Sequence, residues 1–443
     1  MESVNIIRAI KTMPITAAAL ASYKDSGETV TVHGMVHALR NFGGVRFAVL
    51  RRHDGVTQVV LPEHMTLPKE GDAAAFEGTV VSEPRAPGGL ELRAESVRVL
   101  STPAEPMPVP IHKTNMGLTL DTELSLRPIT LRNLRTRAVM KLQEGLVRGF
   151  RDSLHARGFT EIHSPKLEAL SAEGGANVFR VPYFQQHAVL AQSPQFYKQM
   201  MVGVFERVFE VGPVFRAEKH NTARHLNEYT SLDLEIGFIN SFEDIMATET
   251  YALGYMMELL RREYAPQLDS LKLSLPEVGS VEGIPALRFD EAKARAAEAY
   301  GLPRSDPNDL TPEEEQAIGR YASEKLGSEF VFVTHYPSKK RPVYAMDDPD
   351  DPRYTLSFDL LFRGMEITTG GQRIHDYDAQ VAKILARGLD PAGFECYLMI
   401  HKHGMPPHGG FGMGLERLLK QLIGANNIRH TCLFPRDTNR LSP

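Results

Sequence analysis

Arginines and carboxylates spaced along strand-like runs mark the middle of this chain. In FERVFEVGPVFRAEKHNTARHLNEYTSLDLEIGFI, residues 205–239, two strand-like arms flank a long polar loop. Side chains alternate with period two on a strand, so Arg216 and Glu218 are expected to share one face. On the second arm Leu232, Leu234, Ile236 and Phe238 point one way, and Asp233 and Glu235 the other. The prediction is a hairpin with one apolar, buried side and one charged floor. Its loop carries Lys219, His220, Arg224 and His225, which suit a polyphosphate better than packing. A charged hairpin face alone is usually just solvated. Its companions decide otherwise. AQSPQFYKQMM clusters Ser193, Gln195 and Lys198, and SFDLLFRGMEITTGGQRIHDY predicts a strand pair around Gly364. In that pair Asp359 and Glu366 could reach one metal, and Arg373 lies on the second strand. GGFGMGLERLLKQL is a glycine-rich strand feeding a helix, with Arg417 at the helix start. Arginine neutralises phosphate charge and oxygen ligands hold Mg²⁺, so this set suits a nucleoside triphosphate bound on an antiparallel sheet.

Other chemistries lack their motifs. There is no GxxxxGK[ST], no strand–GxGxxG–helix, no nucleophile elbow and no HExxH. The two cysteines, Cys396 and Cys432, have no paired spacing, which argues against a disulfide framework or a zinc site. A chain of 443 residues is too long for one core, so two or three domains are expected. Net charge of −5 means that nucleic-acid binding must come from local patches. No apolar run reaches transmembrane length and no signal peptide is evident, so the expectation is a cytosolic protein without a membrane role.

The elements that position these residues follow in order. ITAAALASYKD predicts a short helix. Between Thr29 and Leu100, VTVHGMV, VRFAVLRR, TQVVLP, DAAAFEGTVV and LELRAESVRVL read as five short strands. That pattern predicts a small closed barrel of the OB type. It holds eight Lys/Arg and eight Asp/Glu, so single-strand recognition would rest on stacking and hydrogen bonds, with Phe42, Phe47 and Gln58 available. Four prolines in TPAEPMPVP mark a linker. Leu131, Leu134, Ala138, Leu142, Leu146, Phe150 and Leu154 form one helical stripe ending at Gly158. Residues 127–166 carry nine Lys/Arg against three Asp/Glu, the most positive segment of the chain. Residues 265–330 are weakly patterned, with two helices and no assigned chemistry. The expected fold class is α+β: a barrel domain over 1–104, a hinge over 105–126, and a catalytic domain over 127–443 with an insertion near 265–330.

These motifs resemble a known family. FRAEKHNTARHLNEYTSLDLE resembles motif 2 of class II aminoacyl-tRNA synthetases, and GGFGMGLERLLKQL resembles motif 3. The basic helix running into GFTEIHSPKL resembles motif 1, which ends on a proline at a homodimer interface. The barrel narrows the resemblance to the aspartyl, asparaginyl and lysyl branch. EGGANVF, QSPQFYKQ, FDLLFRGMEITTGGQRIH and FPRDTNRLSP are similar to the aspartyl-tRNA synthetase family. The compact insertion and the ending just past motif 3 resemble its archaeal and eukaryotic type.

The resemblance implies roles position by position. Arg216 would contact the ATP α-phosphate and the amino-acid carboxylate, with Glu218 near adenine or the acceptor end. Arg224 and His225 would meet the γ-phosphate, and Tyr229 would stack on adenine opposite Arg417. Asp359 and Glu366 would hold Mg²⁺. Ser193, Gln195 and Asp233 would fix the substrate ammonium, Thr369 would join the aspartate set, and Glu173 would sit in a loop closing over it. Lys198 and Arg373 give a physical reason for aspartate. Two cations on one side chain suit a carboxylate, whereas an amide would leave charge uncompensated. In the barrel, Phe47 and Gln58 match anticodon-reading positions. His37 and Pro87 stand where discriminating members carry Trp and Lys, which implies charging of both tRNA(Asp) and tRNA(Asn). Misacylated Asp-tRNA(Asn) would pass to an amidotransferase. The other readings are an asparaginyl-tRNA synthetase, an amino-acid ligase working without tRNA, and a non-catalytic RNA-binding paralogue.

Overall fold

A computed structural model describes residues 15–169, 177–279, 283–303 and 305–442. They fall into two compact units, divided between Leu134 and Arg135.

In the first unit, helix α1 (Ala17–Ala21) is capped by the Thr16 hydroxyl, which accepts from the Ala19 N–H. Strands β1 (Thr29–Phe42), β2 (Val45–Arg51), β3 (Val56–Leu61), β4 (Ala73–Ser82) and β5 (Leu90–Ser101) follow. They close into a barrel in the order β1-β2-β3-β5-β4. Alternation sends Val32, Ala48, Leu50, Val59, Phe76 and Leu92 inside. β1 runs six residues beyond the VTVHGMV run, because the chain turns only at Gly43-Gly44, both with positive φ. His37 falls at the register shift between Val36 and Ala38, as the extra residue of a bulge. The 105–126 stretch packs within this unit, as do helices α2 (Leu120–Ser125) and α3 (Arg127–Thr130). The Asn133 side chain donates to the carbonyls of Ile111 and Lys113, each at 2.8 Å. Arg51 donates to the Arg132 carbonyl at 3.0 Å. Side-chain bonds to backbone, together with the buried side chains of Val109 and Ile111, tie the proline-rich segment down. Periodicity carries no trace of them.

The second unit opens on helix α4 (Leu134–His155), whose stripe Ala138, Leu142, Leu146, Phe150 and Leu154 is buried as its spacing predicts. β6 (Thr160–Glu161) enters the main sheet, while β7 (Leu167–Glu168), β8 (Arg180–Tyr183) and β9 (Gln186–Leu190) form a small one. Helix α5 (Gln195–Phe205) leads into the hairpin β10 (Arg207–Phe215) and β11 (Glu228–Gly237). Helices α6 (Glu243–Glu263) and α7 (Ala265–Leu271), β12 (Ala286–Arg288), and helices α8 (Phe289–Tyr300) and α9 (Pro312–Leu326) come next. β13 (Phe330–Thr334), β14 (Ser357–Phe362) and β15 (Met365–Arg373) precede helices α10 (Tyr377–Ala386) and α11 (Glu395–Lys402). β16 (His408–Gly414) and helix α12 (Leu415–Ile423) complete the regular elements. The large sheet has the order β12-β13-β14-β15-β16-β11-β10-β6. Only its outer pairs, β12 with β13 and β10 with β6, are parallel.

Several details depart from the sequence expectation: β10 ends at Phe215, so Arg216 and Glu218 lie past the strand and do not share a strand face, and Leu131 precedes α4. Phe238 lies beyond β11 with φ +57° and is 68% exposed, so the apolar side of the hairpin ends at Ile236. The floor carrying Asp233 and Glu235 is as buried as the apolar side, because neighbouring strands and α5 cover it. No described helix is long and apolar enough to cross a membrane.

Candidate active site

A cavity of ≈ 320 Å³ opens over β11, β15 and β16. Its walls include Ser193, Gln195, Arg216, Glu218, Arg224, His225, Tyr229, Asp233, Glu366, Thr369, Arg373 and Arg417. Lys198 lies beneath this floor and Asp359 behind Glu366, outside the lining. Glu173 falls outside the described residues.

The floor at one end is a charge lattice. Lys198, on α5, donates to Asp233 Oδ1 at 2.9 Å and to the Phe411 carbonyl at 2.8 Å, and lies 3.4 Å from Glu235 Oε2. Arg373 donates to Glu235 Oε1 and to the Gly410 carbonyl, both at 2.8 Å. The two cations do converge, but on Glu235, whose role at the site the sequence reading missed. A desolvated ammonium needs acceptors on every side, which draws Lys198 down to the carboxylates of the floor. Burial alone would raise the Glu235 carboxyl. Arg373 and then Lys198 outweigh it and hold it below the ordinary carboxylate range. Gly410 makes room for this pair: a Cβ there would sit 2.2 Å from Glu235 Oε2. Two polar atoms of the floor lack a partner among the described residues, Asp233 Oδ2 and Gln195 Nε2. An acceptor and a donor, both buried and both on residues lining the cavity, match the ammonium and carboxylate of an α-amino acid.

The other end is arginine-rich. Arg216 sits just past the end of β10, where its N–H extends the ladder to the Asn227 carbonyl at 2.9 Å. Asn227 clips the loop by donating to the carbonyls of Arg216 and Glu218, at 2.7 and 2.9 Å. Arg429 holds the loop from the far side, donating to Asn221 Oδ1 at 2.5 Å and to the Thr222 carbonyl at 3.0 Å. Arg216 approaches Glu218 at 3.8 Å, and its guanidinium lies 5.8 Å from the Tyr229 ring centroid. Burial, then the nearby Arg417, keep His225 below its ordinary pKa, so the ring is neutral at pH 7.

Glu366 takes Arg417 at 3.2 Å and Thr369 Oγ1 at 3.3 Å. Thr369, expected in the amino-acid set, therefore leans toward the phosphate end. Burial would raise the Glu366 carboxyl; Arg417, Arg216 and Arg341 together hold it down. Asp359 is paired with Arg341 at 2.8 Å, yet burial raises its pKa and the charge of Glu366 adds to the rise. Among the described residues no third His, Cys, Asp or Glu completes a metal-binding cluster. Both carboxylates are already paired with arginine; their oxygens are the donor type for Mg²⁺, which takes one or two carboxylates and fills its shell with phosphate and water. Arg341, absent from the sequence reading, is a wall residue carried by a segment with no periodic signal.

The insertion, read as chemically silent, also reaches the site. Glu315 on α9 pairs with Arg224 at 2.5 Å.

The barrel residues divide. His37 is buried, Phe47 and Gln58 are half-buried, and Pro87 is exposed. Gln58 donates to Glu91 Oε2 at 3.1 Å.

A model for class II tRNA synthetases (D, K and N) matches residues 119–438, and one for an OB-fold nucleic acid binding domain matches 30–100. Over 422 residues the chain is 47% identical to an aspartate–tRNA(Asp/Asn) ligase of Deinococcus radiodurans, covering 94% of this chain and 96% of that one. It is 39% identical to an aspartate–tRNA(Asp) ligase of Pyrococcus abyssi, covering 94% and 97%. Among solved structures it is similar to an asparaginyl-tRNA synthetase of Pyrococcus horikoshii complexed with asparaginyl-adenylate. The TM-score there is 0.85 at 29% identity, covering 98% of this chain and all of that one.

Proposed function

Since the chain belongs to the class II tRNA synthetases of the aspartate, lysine and asparagine group, we propose that it is an aspartate–tRNA ligase charging both tRNA(Asp) and tRNA(Asn). The observation that carries this reading is the buried lattice of Lys198, Asp233, Glu235 and Arg373. Aspartate lays its ammonium on Asp233 Oδ2, a carboxylate oxygen on Gln195 Nε2 and its side-chain carboxylate toward Arg373, with Lys198 reinforcing from below. An amide in that place gives up the charge-assisted hydrogen bond that a carboxylate makes to the guanidinium and turns an N–H donor toward a donor.

ATP is the second substrate. Arg216 draws the α-phosphate and the amino-acid carboxylate together, and a carboxylate oxygen bonds to phosphorus as the bond to pyrophosphate breaks. Arg224 and neutral His225 hold the departing phosphates by hydrogen bonds. Asp359 and Glu366 would hold Mg²⁺, which neutralises phosphate charge when bound. The terminal ribose hydroxyl of tRNA then takes the acyl group and AMP leaves. Positioning and charge neutralisation supply the rate, with little acid–base chemistry asked of the protein.

In the barrel, Phe47 and Gln58 read the anticodon, with Pro87 exposed beside them. His37, buried in its bulge, sets the shape of β1 rather than touching a base. A homodimer through the α4–β6 segment and transfer of Asp-tRNA(Asn) to an amidotransferase complete the proposal. Aspartylation of the two purified tRNAs tests it: comparable rates are expected. A strong preference for tRNA(Asp) would overturn the dual specificity and leave the aspartate ligase.

A further inference from the structure

Helix α9 of the insertion brings a carboxylate to the phosphate end of the cavity, and we propose that Glu315 is a positioning residue for ATP, holding Arg224 toward the terminal phosphates. The inference rests on the phosphate-site reading above. One oxygen, Glu315 Oε2, accepts from Arg224 Nη2 at 2.5 Å and from the Glu366 N–H at 3.3 Å. It therefore joins the loop between β10 and β11 to the strand that carries Glu366.

Arg224 needs such an anchor. It sits in a loop outside any strand, on a long side chain with many rotamers. A guanidinium has five N–H donors in a rigid fork, so a carboxylate gripping one side leaves a defined face for phosphate oxygens. Glu315 itself is fixed. Thr311 and Glu314 form a capping box that sets the start of α9. One turn after Glu315, a Cβ on Gly319 would lie 2.3 Å from the Gly364 nitrogen. The helix thus rests directly on the β14–β15 turn, where Gly364 has φ +74°. Residues four apart share a helix face, so the contact that seats α9 also aims Glu315 at Glu366.

Aspartate-dependent ATP–pyrophosphate exchange with wild type, E315Q, R224A and the double variant tests the role. E315Q should raise the ATP KM about tenfold, the scale of one charge-assisted hydrogen bond, and leave the aspartate KM within about twofold. R224A should raise it as well, and E315Q added to R224A should do nothing more. An unchanged ATP KM in E315Q, a parallel rise in both KM values, or multiplying effects in the double variant would overturn the proposal. Should E315Q fail to fold, E315D, which keeps the charge but shortens the reach, is expected to give the same selective rise, and an unchanged ATP KM there counts against the role. Wild type without any aspartate-dependent exchange would instead defeat the aspartate-ligase reading, and ATP binding to the same four proteins by calorimetry would still judge Glu315.

Discussion

At the Lys198 end of the cavity the charged side chains are almost completely covered: Lys198 is 1% exposed, Asp233 3%, Glu235 0% and Arg373 6%. At the phosphate end the side chain of Arg216 keeps 42% of its surface and that of Arg417 keeps 23%. The first set is a closed network of two cations and two carboxylates. The second is a half-open ring of arginines around carboxylates, one of which is held up in pKa by burial and by its neighbour. The contrast follows from what each end handles. A small substrate of fixed size is recognised best by groups already desolvated and locked. A polyphosphate that arrives with a cation, loses pyrophosphate and then meets a tRNA end requires an open wall.

The comparison can be broken most easily at its buried end. Lys198→Met strips the countercharge from Asp233 and leaves Glu235 with Arg373 alone, so it should destabilise the fold by about 3–5 kcal/mol. Aspartate-dependent exchange should fall at least a thousandfold, on the order of the loss for one missing central contact. Thermal melts and the exchange assay read both effects. Arg417→Ala should cost about a hundred- to a thousandfold in kcat. Its stability should change by only about 0.5 kcal/mol, because Glu366 is a third exposed and keeps Arg216 and Arg341 beside it. If Arg417 carried the stability loss and Lys198 did not, the distinction between a locked floor and an open wall would fail.

Glu249 on α6 shows what burial does when no cation answers it. It is fully buried, no cation pairs with it among the described residues, and the Thr368 hydroxyl lowers its pKa only in part. Burial pushes its pKa from 4.5 up to about 8. The folded state therefore holds a proton that the unfolded chain releases above its lower pKa. The stabilisation is complete below pH 4.5 and is lost as pH rises through about 8. Glu249→Gln should exceed the parent in stability by about 1–3 kcal/mol at pH 8.5, with the gap closing toward pH 5. Melting curves of the two proteins across that range check the sign. The smallest expected effect is at the adenine wall. Tyr229→Phe keeps the stacking face, so the ATP KM should stay within about twofold in the same exchange assay.

Local patterns made much of this legible. Alternation in TSLDLEIG placed Asp233 on the floor and Leu232 and Leu234 in the core, and the stripe from Ala138 to Leu154 marked α4. Five short strands marked the barrel. The same period of two that singled out Asp233 also points to Glu235, the one missed residue with a local signal. Glu315, Arg341 and Arg429 had none. Each reaches the cavity or its loop from a distant segment, Glu315 and Arg341 through an ion pair and Arg429 through one side-chain amide and one backbone carbonyl. The depth of Lys198 was hidden for a related reason: spacing gives the face of α5 on which a residue lies but not what covers that face. The linker showed its prolines but not its attachment to the barrel, which runs through Asn133 and Arg132.

The most direct test of the central claim is ATP–pyrophosphate exchange measured with aspartate and with asparagine on the unmodified protein. A site built for a carboxylate predicts exchange with aspartate at least a thousandfold more efficient than with asparagine, because an amide turns an N–H donor toward the donors that grip the carboxylate. Equal or faster exchange with asparagine would contradict it.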